Sequence, residues 1–174
     1  MSAHWYMLSL AGSDRPGIVA AMTQAIWDLG GELGEASMMR LGGNFTVMLM
    51  ASADVTQTEL ETAVAEALDD PSLHIHVSPI TGSLHSHLEP NLRITVSGAD
   101  QPGIVARVTG MLAEQGFNIL DLESDVGGSA DNPIYVLHIE GNCTRDEDAV
   151  EAALKQAGLD DLDLRVEAIE TLVG

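Results

Sequence analysis

The sequence predicts an α+β chain made of two copies of one βαββαβ unit, each an antiparallel four-stranded sheet with two helices on one face. Three observations carry the prediction. SDRPGIVAAMTQAI at residues 13–26 is echoed by ADQPGIVARVTGML at 99–112. The correspondence extends outward through both halves, with apolar spacing switching between strand and helix periods in the same order. The chain's 174 residues suit two small domains, each able to bury a modest core.

In each half the first strand is a short run rich in apolar or β-forming residues, MLSLAG (7–12) or ITVSGA (94–99), that runs into a turn. From Pro16 onward, Ile18, Met22, Ala25, Ile26 and Leu29 recur at helical spacing and stop at Gly30. Ile104, Val108, Met111 and Leu112 repeat that face ahead of Gly116, and both glycines stand where a helix C-cap belongs. Extended segments follow, ELGEASMMRL and NILDLESDV, then the glycine-rich turns LGGN and GGSADNP, then third strands FTVMLMAS and IYVLHIEG. Acidic amphipathic helices come next. One carries Leu60, Val64 and Leu68 on a single face, the other Val150, Ala153, Leu154 and Ala157. LHIHVSPI (Leu73 to Ile80) and LDLRVEAI (Leu162 to Ile169) close the halves as alternating strands. This is the ferredoxin-like order of elements. The first domain is expected at residues 1–82 and the second at 91–174. The linker, 83–90, falls within TGSLHSHLEP.

Composition narrows the function. No apolar run approaches the roughly 20 residues that cross a bilayer. The opening MSAHWYMLSLAG lacks a basic region followed by an apolar one, so a cytoplasmic address is expected. Asp and Glu number 27 against 7 Lys and Arg, for a formal charge of −20, and the arginines are scattered singly. A duplex-binding surface needs clustered cations, so direct nucleic-acid binding is not expected. The acidity reads as a solubilising surface or as a face that docks on a basic protein partner. Cys143 stands alone and reads as a buried or edge thiol.

No nucleophile, base and orienting group fall together by motif, and neither GxxxxGKS nor GxGxxG is present. No enzymatic activity and no cofactor are expected. His74, His76, His85 and His87 lie close in sequence, the first pair on one face of a strand. The aligned positions Asp163 and Arg165 are merely polar, which favours a solvated sheet surface over a metal site. Met38, Met39, Met48 and Met50 read as core or interface filler. FTVMLM is apolar at consecutive positions, so both sheet faces are expected to be covered, by paired domains or in a homodimer.

The repeated phrase has a physical logic of its own. A strand turning sharply into a helix leaves the first helical N–H groups unpaired, and the helix dipole favours an anion there. Gly17 and Gly103 lack a Cβ, so a ligand can come close, while Asp14 and Asp100 could accept from a ligand ammonium. Together they complement an amino acid. The plainer reading is that the aspartate caps the helix, Pro16 or Pro102 occupies its first turn, and the glycine allows close packing.

Strand, then Asp-x-Pro-Gly-Ile-Val opening a helix that ends in Gly-x-Asn-Ile, closely resembles the ACT domain, a family of small regulatory modules that sense amino acids. Two units with little else resemble the glycine cleavage transcriptional repressor group over nearly the whole chain. The resemblance implies that paired domains lie side by side, with ligand between the strand-to-helix loop of one and the start of the second strand of the other. The neighbour's polar residue then corresponds to Asn118 in GFNIL, whereas the first half has Glu32 in GGELG. One site would join Asp14, Arg15, Gly17 and Ile18 to Asn118. The other would join Asp100, Gln101, Gly103 and Ile104 to Glu32. The first is favoured, because Arg15 offers a carboxylate partner, whereas Glu32 beside Asp100 concentrates negative charge. By resemblance the ligand is glycine and the partner a DNA-binding activator of glycine cleavage genes. A detached allosteric subunit controlling a metabolic enzyme is the alternative.

Overall fold

Strand alternation sets the first core. Along β1 (His4–Ser13) the side chains of Tyr6, Leu8 and Leu10 are buried, and they meet Ile18, Met22, Ala25 and Ile26 from α1 (Ile18–Asp28). In this computed structural model the described residues are 4–81, 88–99, 102–129, 132–156 and 162–169. β2 (Glu32–Leu41) and β3 (Asn44–Ala53) form a hairpin, followed by α2 (Gln57–Leu68) and β4 (His74–Pro79). Phe45, Val47 and Leu49 of β3 and Leu60, Val64 and Leu68 of α2 complete the core. Truncating Met22 or Ile26, both fully buried, to alanine costs about 2–5 kcal/mol.

The second half repeats this as β5 (Leu92–Ala99), α3 (Ile104–Glu114), β6 (Asn118–Ser129), β7 (Asn132–Asn142), α4 (Glu147–Gln156) and β8 (Leu162–Ala168). Its separate core gathers Leu92, Ile94, Val96, Val108, Leu112, Leu137, Ile139, Val150 and Leu154. The chain divides into two compact units, Met1–His85 and Ser86–Gly174. The sheets have the orders β2-β3-β1-β4 and β6-β7-β5-β8, antiparallel throughout. This is the expected α+β, ferredoxin-like fold in duplicate.

Both Gly30 and Gly116 lie in the left-handed region, φ 70° and 73°. Gly30 N–H donates to Trp27 and Gly31 N–H to Ile26; Gly116 and Phe117 donate to Ala113 and Leu112 in the same pattern. Two orphan carbonyls at each helix end are satisfied this way.

Phe45, Val47, Leu49 and Ala51 of β3 face the core, while Met48, on the other face, is 49% exposed within its own unit. Every residue of edge strand β2 is exposed. Cys143 is buried, with its Sγ 3.6 Å from the Gln115 carbonyl oxygen to which it donates. No helix among the described residues is long and apolar enough to cross a membrane.

Candidate functional site

The two strand-to-helix turns share one geometry. Gly17 and Gly103 occupy the N-cap positions of α1 and α3 with φ 92° and 86°, and neither helix receives a side-chain cap. A Cβ at either glycine would meet nothing within 4 Å. Glycine is therefore required by the left-handed backbone rather than by crowding. Each carbonyl accepts the first helical bond, from Ala21 at 2.9 Å and from Arg107 at 3.0 Å. The other helices open differently. Thr56 and Glu59 form a reciprocal capping box on α2, and Asp146 Oδ1 accepts from Ala149 N–H at the start of α4. Among the described residues, the helices behind the repeated phrase are thus the pair without side-chain caps, and their first N–H groups and dipoles favour an anion.

Within the first unit the structure corrects the plainer reading. Asp14 does not cap α1: its carboxylate lies 2.7 Å from Arg40 Nη2, and its backbone N–H donates to Gly43. Pro16 precedes the N-cap and stands outside the helix. Arg15 is drawn toward its own unit, where Nη2 donates to the Leu68 carbonyl at 2.7 Å and Nε faces Asp70 at 3.5 Å. A guanidinium at the last carbonyl of α2 also complements the negative end of that helix. The Ser72 hydroxyl, then the Ser72 N–H, and then Arg15 hold the Asp70 carboxyl below its ordinary range. Ile18 and Ile104 are buried core residues, so they offer the turn backbone rather than side chain.

The partner positions fall where strand register puts them. Glu32 and Asn118 are each the exposed first residue of their strand, β2 and β6, just past the helix-ending glycine turn. Asn118 pairs with Asn142, and its carbonyl oxygen lies against Gly141. Asp100 and Gln101 lie outside the described residues, as do His85 and His87. His74 and His76 are exposed on β4, opposite Ala11 and Ser9. No grouping of three potential metal ligands occurs among the described residues.

Arg40 is the residue that motif reasoning missed. Its proximity to Asp14 comes from the β2–β3 hairpin, in which Arg40 pairs with Phe45 while Asn44 pairs with Ser13. The length of that hairpin around Gly42 and Gly43 was the available signal.

Comparison with known proteins adds the lineage. Residues 4–78 and 92–158 each match the ACT domain. The chain is 25% identical over 157 residues to the glycine cleavage system transcriptional repressor of Escherichia coli K12, covering 90% of this chain and 83% of that protein. A crystal structure of an unknown protein from Galdieria sulphuraria superposes with TM-score 0.80 at 25% identity, covering 97% of this chain and 100% of that one. A second crystal structure, provisionally named a glycine cleavage system transcriptional repressor, gives TM-score 0.74 at 15% identity, covering 98% and 100%, a likeness of fold.

Proposed function

Because the chain belongs to the ACT-domain family as two such domains in tandem, we propose that it is a non-enzymatic regulator that senses a small amino acid and acts through a protein partner. The observation that carries the proposal is the paired, uncapped helix start at Gly17 and Gly103, set against side-chain caps at α2 and α4. Those helix starts suit a carboxylate, and Asp14 supplies the opposite charge for an ammonium.

In the favoured site, Asp14, Arg15 and the Gly17–Ile18 backbone act with Asn118 of the second unit. Asp14 is already held by Arg40, so an incoming ammonium shares or replaces that pairing. Arg15 fixes the turn by tying it to Leu68 and Asp70. The second site, Asp100, Gln101, Gly103 and Ile104 with Glu32, carries more negative charge and is the weaker or purely structural one. The name of the E. coli relative supports glycine as ligand and transcriptional repression as output. With a charge of −20, that output runs through a DNA-binding activator rather than through DNA. Ligand works by binding two arrangements of the protein with different affinity.

Calorimetry with a panel of amino acids tests this directly. Wild type should bind glycine or a close analogue, and Asn118→Ala should lose at least about tenfold in affinity. Equal affinity in the variant would remove Asn118 from the site. Absence of binding across the panel would overturn the sensing role.

A further inference from the structure

A groove runs between α1 and α2 of the first unit. Its floor is Ala21, Ala25, Leu29, Ala63 and Ala67, in a hollow of about 540 Å³ that continues into one of about 330 Å³ sharing Leu29, Ala63 and Glu66. We infer that this groove is the docking site for a basic amphipathic α-helix of a protein partner. The inference rests on the proposal that the protein acts through such a partner, and names where and by what chemistry it is held.

Three features select that occupant. Alanines on both walls let a third helix come close and set larger side chains between the pair, as ridges enter grooves. The rim is acidic, with Asp28 and Glu66 beside the floor and Glu59 toward the far end. Neither α1 nor α2 contains a single Lys or Arg, so the charge is uncompensated by its own helices and complements cations on the visitor.

The feature is not a by-product of the fold. In the second unit Arg107, Met111 and Gln156 stand where Ala21, Ala25 and Glu66 stand in the first, so the same helix pair carries a cation and larger side chains there. Nor can a second copy supply the visitor from these helices: the sole cation of α3 is Arg107 and that of α4 is Lys155. With 11 and 12 residues in the two helices, the groove accommodates a helix of about three turns at ~1.5 Å per residue.

The probe is a labelled Leu/Lys amphipathic helical peptide of about 18 residues, with a scrambled peptide of identical composition as control. Anisotropy at about 0.15 M salt should show wild type binding the helical peptide at least tenfold more tightly than the scramble, about a tenfold step being 1.4 kcal/mol. The double variant Asp28→Lys with Glu66→Lys should lose at least about tenfold, and Asp121→Lys with Glu123→Lys, an equal charge change on β6, less than about threefold. Ala63→Leu fills the floor without altering charge and should also weaken binding. Equal losses in the two double variants, or a scramble that binds as well, would overturn the docking site in favour of a diffuse acidic surface. A wild-type dimer in sedimentation that Asp28→Lys with Glu66→Lys disperses would overturn it in favour of a second copy. Failure of the peptide to bind while amino-acid binding persists removes the groove and leaves the sensing role standing.

Discussion

At Gly17 the backbone sits at φ 92° with open space where a Cβ would go. Gly17→Ala should therefore destabilise by about 1–2 kcal/mol through strain alone, read as a lower urea midpoint at unchanged slope. Gly141 presents the opposite case, because a Cβ there would strike the Phe117 ring and the Asn118 carbonyl. Gly141→Ala should cost about 1–3 kcal/mol and displace Asn118, so the proposed amino-acid binding should weaken with stability. The Asp14–Arg40 pair is partly exposed, at 24% and 66%, and Arg40→Ala should change stability by less than about 1 kcal/mol in the same urea assay. The aspartate and glycine of the repeated phrase were legible as special positions. Their roles were not, because the Arg15 contacts with Leu68 and Asp70 span more than fifty residues of chain, a distance no local motif records.

Among the helices, α2 shows what a complete N-terminus looks like: Glu59 N–H donates to the Thr56 hydroxyl, and the Glu59 carboxylate accepts from Thr56 N–H. Thr56→Ala should cost about 1 kcal/mol by thermal or chemical denaturation. The Thr56 backbone N–H, and then its hydroxyl, hold the Glu59 carboxyl below its ordinary value. A depressed carboxylate contributes stability that is fully present above its unfolded value and is lost as pH falls through the folded one. Glu59→Gln should accordingly flatten the acid limb of the stability profile below about pH 4. Helix faces were legible almost residue by residue, since Ile18, Met22, Ala25 and Ile26 point inward as their spacing required. Strand ends and register were less so. β1 begins three residues before MLSLAG because His4–Tyr6 find partners at Ala51–Ala53, and the register shift between Leu33 and Ala36 leaves no compositional trace.

Over the whole molecule, a surplus of 20 negative charges repels itself in the folded state. The melting temperature should rise as salt goes from about 0.01 to 0.15 M, where the screening length falls from about 30 to 8 Å; a flat response would show that the carboxylates are already locally compensated. Arg15, Arg40, Arg93, Arg165 and Lys155 each reach a carboxylate, so such compensation is local and the surplus is spread elsewhere. Duplication was legible because comparison of the halves is internal to the chain. The partner was not, since it leaves only complementary chemistry behind. Affinity capture under changing glycine separates a transcription factor from a metabolic enzyme as that partner: recovery of the former supports repression, and recovery of the latter supports an allosteric subunit. The bare starts of α1 and α3 also carry a consequence for how sensing can be watched. Each leaves hydrogen-bonding capacity that no side chain among the described residues fills, so whatever fills it tightens the native state by RT ln(1 + [L]/Kd), about 2.7 kcal/mol at a hundredfold excess over Kd. Under the proposed sensing role, heat resistance then becomes a gauge of ligand supply, readable in crude extract with no label and no knowledge of the pathway served.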